Sequence, residues 1–169
     1  NWKVARPHPV VLREVSRAIE IGPDIVLLSA YLQHFKTVRQ IGEIAKAANV
    51  PVLVGGPMFN VGAIADAWAG LPGIAAVVGA EVDRDLPALV ESVCTGSNLS
   101  THQGVTLGGG QKGPGAPPLR NLDATPVPDF TDFPWDRYPV RIVPVMTGRG
   151  CQWDKCMFCS DVISASGRT

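Results

Sequence analysis

Between Val10 and Val93 the sequence alternates stretches of helical character with short apolar runs. The three runs are IVLLS, VPVLV and IAAVV. Near-continuous apolar runs of this length are typical of strands that helices bury on both faces. The pattern therefore predicts an α/β fold built on a doubly wound parallel sheet of the flavodoxin-like or Rossmann-like kind.

The stretches around these runs carry apolar residues at helical spacing. Gly22 and Pro23 would stop the first helix, and Asp83 is predicted to cap the last one. A doubly wound sheet usually has about five or more strands, so we consider a fourth strand at residues 104–107 and expect at least one more before Asn1. The predicted helices cover residues 12–21, 37–48, 61–68 and 86–93.

Small or polar residues end each of the three runs. They are Ser29 and Ala30, then Gly55, Gly56 and Pro57, and finally Gly79, Ala80 and Glu81. In open parallel sheets, ligands bind at the carboxyl ends of the strands. Taken singly, each glycine is more simply explained by a tight turn into the next helix. Three such strand ends together favour a ligand-binding edge.

The charge balance and the hydropathy of the sequence argue against several classes of protein. Fifteen Lys and Arg residues balance fifteen Asp and Glu residues, so no net field favours nucleic acid, an acidic substrate or an anionic membrane. No apolar run is long enough to span a bilayer, and the first residues do not resemble a signal peptide. The sequence therefore predicts a soluble cytoplasmic protein that acts on small molecules, without a nucleic-acid or membrane partner.

Residues 108–139 are rich in glycine and proline and lack periodicity, which is typical of a linker between domains. The apolar run at residues 141–148 predicts a strand that leads to a cysteine cluster. The predicted organisation is a domain at residues 1–107, the linker, and the start of a second domain at residues 140–169. Four aromatic residues of the linker are expected to dock on a domain by packing: Phe130, Phe133, Trp135 and Tyr138.

Cys151, Cys156 and Cys159 form a C-x4-C-x2-C array, which favours a metal centre in a reducing compartment over disulfides. A structural zinc ion needs a fourth ligand, but no histidine follows Cys159, and Cys94 is expected to be a buried residue of a helix. Haem attachment needs a histidine where Ser160 stands, and a redox dithiol would leave Cys151 unused. A four-iron cluster held by three cysteines instead keeps one iron open for a ligand.

The cysteine array resembles that of the radical S-adenosylmethionine superfamily. In this family the cluster loop follows the first strand of a partial βα barrel, here truncated, and an aromatic residue such as Phe158 precedes the third cysteine. The resemblance implies that the three cysteines bind a 4Fe-4S cluster and that the Phe158 backbone lies near the adenine of S-adenosylmethionine. Gly148 and Gly150 would let the loop bend tightly. The commonest family spacing is C-x3-C-x2-C, so this loop is one residue longer.

The α/β portion resembles the cobalamin-binding module found before such barrels, and PVPDFTDFPWDRYPV resembles its connector. Many such modules supply a histidine to the cobalt from an Asp-x-His-x-x-Gly motif, which this chain does not contain. His34 and His102 are expected to be surface or loop residues. The resemblance implies that cobalamin contacts the strand ends at Ser29, Ala30, Gly55, Gly56, Pro57, Gly79 and Glu81.

In this family the cluster reduces S-adenosylmethionine, and the resulting 5′-deoxyadenosyl radical abstracts hydrogen from the substrate. The resemblance implies a cobalamin-dependent radical enzyme that performs methyl transfer or a rearrangement on a small molecule or peptide, with a flavodoxin or ferredoxin as reductant. The chain alone is expected to have no turnover, and its last residues, SDVISASGRT, to be poorly ordered. The alternative is a non-catalytic α/β ligand-binding module with a zinc-stabilised cysteine tail.

Overall fold

The computed structural model describes residues 6–79, 81–119 and 121–143, together with positions 145, 149, 155, 156 and 158. The chain divides into two compact units, the first ending at Pro117 and the second beginning at Pro118. Within the described residues, all the α-helices and strands belong to the first unit.

Helices and strands alternate along the first unit. Each element begins and ends within three residues of the bounds predicted for it. The α/β class and the order of elements predicted from the sequence are therefore confirmed. None of the helices in the described part of the chain is long and apolar enough to cross a membrane. The elements are α1 (Pro9–Glu20), β1 (Val26–Ser29), α2 (Phe35–Ala47), β2 (Val52–Gly55), α3 (Gly62–Ala69), β3 (Ile74–Val78), α4 (Leu86–Thr95) and β4 (Val105–Thr106).

The four strands form one sheet in the order β1-β2-β3-β4. The first three are parallel, with Ser29 opposite Gly55 and Gly55 opposite Val78. Strand β4 runs antiparallel to β3, so the prediction of a wholly parallel sheet is wrong at this edge. The reason is that the chain returns from α4 to the carboxyl end of β3, where Gly79 donates its N–H to the Gly104 carbonyl at 2.9 Å. A parallel strand would need a crossover to the opposite end of the sheet.

Alternate strand residues point into two hydrophobic clusters. The larger cluster packs α1, α2 and α3 against strand residues that include Val52, Val54 and Val77. The smaller cluster packs α4 against residues that include Leu53 and Val78. Because neighbouring residues of one strand point to opposite faces, the helices cover both sides of the sheet. Helices on both faces of a mostly parallel sheet are consistent with a Rossmann-like fold.

Helix α4 corrects the prediction for Cys94. Leu89 and Val93 lie four residues apart on the face that fills the smaller cluster, and both are buried. Cys94 is the next residue along the helix, so its side chain points about 100° away from that of Val93. Cys94 is therefore exposed, and the prediction that it is buried is wrong.

The start of α4 also differs from its prediction. Asp85, not Asp83, precedes the helix, and the Asp85 side chain makes no capping hydrogen bond. The backbone N–H groups of Asp85 and Leu86 donate to the Val82 carbonyl at 3.0 and 2.8 Å. A turn therefore comes before the helix, and Asp85 rather than Asp83 occupies the N-cap position.

The loop after β4 folds back on α3. Lys112 Nζ lies 3.0 Å from Asp66 Oδ2 on α3, and Lys112 forms an antiparallel bridge with Thr106. Both charged side chains are about half exposed, so this ion pair contributes at most about 1 kcal/mol. Residues 108–117 fall within the first compact unit.

In the second unit, an aromatic cluster forms within residues 130–138. The Phe133 ring lies 4.7 Å from Trp135 and 5.1 Å from Tyr138, measured between ring centroids. Trp135 Nε1 donates a hydrogen bond to the Phe130 carbonyl at 3.1 Å. These rings pack on one another, and their docking on a domain stays a prediction.

Asp129 orders the turn that begins this cluster. Its Oδ1 accepts hydrogen bonds from the Thr131 hydroxyl at 2.5 Å and from the Thr131 N–H at 2.8 Å. Both bonds favour the ionised carboxylate and hold the pKa of Asp129 below its ordinary value. The turn is therefore stabilised above the ordinary pKa of an aspartate, and this stabilisation is lost as the pH falls through the lowered pKa.

The segment that leads to the cysteines is described only in part. Residues 141–143 and Val145 form no strand, whereas residues 144 and 146–148 lie outside the described residues. The final residues 160–169, which were expected to be poorly ordered, also lie outside them. The start of a βα barrel therefore stays a prediction.

Gly42 brings α2 into backbone contact with the turn before β3. A Cβ atom at this position would overlap the carbonyl oxygen of Pro72. We expect Gly42→Ala to lower the free energy of unfolding by about 2–3 kcal/mol, because α2 must move off the sheet. Urea denaturation measures the loss. Gly70→Ala is the matched control, since the nearest atom to its Cβ is 4.0 Å away, and equal stabilities of the two variants would contradict the prediction.

Candidate functional site

The carboxyl ends of β1, β2 and β3 meet at one edge of the sheet. Ala30, directly after β1, donates its N–H to the Gly55 carbonyl at 2.9 Å. Ser29 pairs with Gly55, and Gly55 pairs with the last residue of β3, Val78. The structure therefore brings Ser29, Ala30 and Gly55 together, as predicted, with Gly79 one residue further along the same edge.

Two of the predicted edge glycines are required by the packing of the chain itself. Gly56 has a φ of +147°, and a Cβ atom there would overlap the carbonyl oxygen of Ala30. A Cβ atom at Gly79 would overlap the carbonyl oxygen of Phe59. These contacts explain both glycines as close approaches between neighbouring loops, so neither one by itself indicates a ligand.

Gly55 differs from these two glycines. Nothing lies within 4 Å of the position where its Cβ atom would stand. Its neighbour Ser29 is exposed, and Leu27, two residues earlier on the same face of β1, is 50% exposed. Leu27, Ser29 and Gly55 form a flat, open surface, called here the edge ledge. A ligand could lie against the backbone here because no side chain projects from Gly55.

The remaining predicted edge residues flank the ledge. Pro57 is exposed and begins a 3₁₀ turn over Pro57–Asn60 that leads from β2 to α3. Glu81 is half-buried and follows β3 by three residues. Ala80 lies outside the described residues. Contact of Pro57, Gly79 and Glu81 with a ligand stays a prediction.

The loop after β1 contains two residues that the sequence patterns did not single out as a pair. Tyr31 is 53% exposed, and its N–H donates a hydrogen bond to His34 Nδ1 at 3.2 Å. The two rings meet edge to face, with centroids 6.1 Å apart. The position of Tyr31, directly after the strand end at Ala30, was the signal in the sequence.

Each histidine within the described residues has a ring nitrogen in a hydrogen bond with the protein. His8 Nδ1 accepts the Val10 N–H at 3.3 Å and caps α1. His102 Nε2 pairs with the Ser92 hydroxyl at 2.8 Å on α4. Together with the His34 bond, these contacts give every one of these rings a defined place in a loop or at a helix end.

An aromatic cluster around the buried Trp68 connects α3 with the loops at the edge of the sheet. The Trp68 ring of α3 meets Phe35 at the start of α2 and Phe59 in the turn after β2. Both centroid distances are 5.2 Å, and both ring pairs are close to perpendicular. Since Phe35 follows the Tyr31 loop and Phe59 contacts Gly79 through its backbone, this cluster fixes the loops that border the ledge.

The cysteine segment is described at few positions. Cys156 is half-buried, and the side chain of Phe158 is 92% exposed. Among the described residues, no group of three metal-binding side chains comes together. The partners proposed for Cys156 and the two loop glycines lie outside the described residues: Cys151, Cys159, Gly148 and Gly150. The cluster ligands and the adenine contact of Phe158 stay predictions.

Gly56→Ala and Gly55→Ala form a matched pair. The added Cβ atom would overlap packed backbone at Gly56, whereas it would enter open space at Gly55. We expect Gly56→Ala to lower the free energy of unfolding by about 2–3 kcal/mol, because of the overlap and the positive φ. Gly55→Ala should leave it unchanged or raise it by up to about 1 kcal/mol, since alanine suits a strand better than glycine. Urea denaturation of both variants checks this difference, and a destabilised Gly55→Ala would show that the ledge is not open.

Comparison with known proteins shows what this chain is similar to. No known protein-family profile matches the chain. The chain is 31% identical over 157 residues to a protein of Pyrococcus horikoshii that is named an uncharacterised methyltransferase. The match covers 88% of this chain, and the chain spans about a third of the length of that relative.

Proposed function

We propose that this chain is part of a cobalamin-dependent radical S-adenosylmethionine methyltransferase. The observation that carries the proposal is the match to a protein named as a methyltransferase over 88% of the chain. That share leaves about 20 residues outside the match, so the similarity extends across both compact units.

The edge ledge is the proposed site for the corrin. Gly55 presents backbone without a side chain, so a large flat ring can approach the sheet closely there. Leu27 adds apolar surface, and the Ser29 hydroxyl can donate or accept a hydrogen bond at the rim. The tight packing of Gly56 and Gly79 keeps the neighbouring loops in place, so the ledge is formed before the ligand binds.

The three cysteines are the proposed ligands of a 4Fe-4S cluster. Thiolates are the donors that such clusters require, and three of them leave one iron open for S-adenosylmethionine. When bound, these groups would supply an electron for radical formation at the cluster and a methyl group from cobalamin. Cys151, Cys156 and Cys159 would hold the cluster, and Gly148 and Gly150 would allow the loop to close around it.

The substrate and the electron donor belong to the same proposal. A small molecule or a peptide would accept the methyl group, and a flavodoxin or ferredoxin in the cytoplasm would reduce the cluster. The balanced charge of the chain, with fifteen basic and fifteen acidic residues, supports a substrate other than nucleic acid.

Incubation of the anaerobically reconstituted full-length protein with S-adenosylmethionine and dithionite tests the proposal. We expect 5′-deoxyadenosine to form and hydroxocobalamin to bind in a separate titration followed by its absorption. Binding of cobalamin without 5′-deoxyadenosine would reject the radical chemistry but retain the corrin site. Absence of both would overturn the proposed function.

A further inference from the structure

The loop that follows β1 begins next to the edge ledge in the chain and carries two ring side chains, Tyr31 and His34. Tyr31 comes two residues after Ser29, and the 3₁₀ turn Leu32–His34 returns the chain toward Tyr31. The hydrogen bond from the Tyr31 N–H to His34 Nδ1 closes this turn at 3.2 Å. Tyr31 is a large aromatic residue, yet half of it is exposed, and its ring meets the His34 ring edge to face.

The hydrogen bond determines which ring nitrogen of His34 accepts and which can donate. A ring nitrogen that accepts a hydrogen bond needs a free lone pair, so Nδ1 carries no proton. A neutral imidazole then has its proton on Nε2, which makes Nε2–H a hydrogen-bond donor. A protonated Nε2 has no lone pair for a metal. His34 therefore offers a donor at the edge of the sheet and does not offer a cobalt ligand through Nε2.

We propose that Tyr31 and His34 determine the specificity of the edge ledge for a macrocycle that carries amide side chains. His34 Nε2–H donates to an amide carbonyl oxygen at the periphery of the ring, and the Tyr31 ring covers apolar ligand surface beside Leu27 and Gly55. An N–H donor and an aromatic ring suit a neutral amide better than phosphate groups, which arginine and lysine recognise. This inference rests on the proposed function, because it takes a corrin as the ligand.

Variants of His34 distinguish the proposed Nε2 donor from the hydrogen bond that Nδ1 accepts from the Tyr31 N–H. His34→Asn keeps an acceptor close to the position of Nδ1, so the turn to Tyr31 is retained, but it removes the Nε2 donor. His34→Gln keeps a donor near the position of Nε2. Tyr31→Phe retains the ring, whereas Tyr31→Ala removes it. His102→Asn is the matched control, because His102 pairs with Ser92 on α4.

The experiment is a titration of the full-length protein and these variants with hydroxocobalamin, followed by absorption. We expect affinity to fall about 3- to 10-fold in His34→Asn, the usual effect of one lost hydrogen bond, and by a similar factor in Tyr31→Ala. His34→Gln, Tyr31→Phe and His102→Asn should bind within about 2-fold of the wild type. Circular dichroism establishes that each variant is folded.

The cobalt spectrum provides a second readout. Because His34 is a donor to the corrin periphery, His34→Asn should leave the absorption bands of bound cobalamin unchanged. A shift of these bands in His34→Asn alone would indicate that His34 binds the cobalt and would overturn the inference. Wild-type affinity in both His34→Asn and Tyr31→Ala would overturn it as well. A wild-type protein that binds no cobalamin would instead reject the corrin site of the proposed function.

Discussion

Alanine at Cys151, Cys156 or Cys159 is expected to remove all of the iron from the anaerobically reconstituted full-length protein. A 4Fe-4S cluster with three protein ligands has no spare thiolate, so the loss of one ligand leaves two, too few to retain it. Iron content should fall from about four per chain to near zero in each variant. Formation of 5′-deoxyadenosine from S-adenosylmethionine should be lost together with the iron.

Cys94→Ala is the matched control for the cysteine variants. Cys94 lies on α4 in the first unit and is exposed, so its removal creates no cavity. This variant should keep its iron and its activity. Iron that survives in any one of the three loop variants would contradict the assignment of that cysteine, and loss of iron in Cys94→Ala would bring Cys94 into the ligand set.

Trp68→Ala is expected to lower the free energy of unfolding by about 3–5 kcal/mol. Trp68 is fully buried, and its ring lies 5.2 Å from both Phe35 and Phe59, between centroids. Its removal leaves a cavity between α2, α3 and the turn after β2, which the neighbouring aromatic rings can fill only in part. Urea denaturation measures the loss.

Trp68→Phe removes the same indole N–H as Trp68→Ala but keeps an aromatic ring in the core. Within the described residues, Trp68 Nε1 has no hydrogen-bond partner although it is buried. A buried unpaired donor costs about 1–3 kcal/mol, so its removal offsets part of the lost packing. Trp68→Phe should therefore lose less than half as much stability as Trp68→Ala. Equal losses would contradict the prediction, because they would mean that the retained ring fills none of the cavity.

The sequence was most informative for the first unit. IAAVV coincides with β3, and the other runs lie within two residues of β1 and β2, because long apolar runs leave few alternatives to buried strands. Gly22 stopped the first helix as predicted, with a φ of +83° that favours glycine. At these positions the local sequence pattern and the packing of the folded chain favour the same structure.

The direction of β4 could not be predicted in the same way. A strand of two residues, Val105–Thr106, has no periodicity to read, and its direction depends on where the chain leaves α4. Cys94 was assigned wrongly because one residue along a helix changes the face. Asp83 was assigned wrongly because the N-cap position lies two residues later, at Asp85.

The candidate site shows a different limit of sequence reasoning. Gly55, Gly56 and Gly79 look alike in the sequence, yet only Gly55 has open space beside it. Backbone contacts between distant loops, such as Gly79 with Phe59, decide which glycine has a packing role. The Tyr31–His34 hydrogen bond was equally hidden, since nothing in the residue types indicates which ring nitrogen is used.

The metal content and absorption spectrum of the full-length protein, prepared without oxygen, test the central claim most directly. We expect about four irons per chain, with matching sulfide and the brown absorption of a 4Fe-4S cluster. Bound cobalamin would add cobalt and a red component. Zinc in a one-to-one ratio without iron would contradict the account and leave an α/β ligand-binding module with a zinc-stabilised tail.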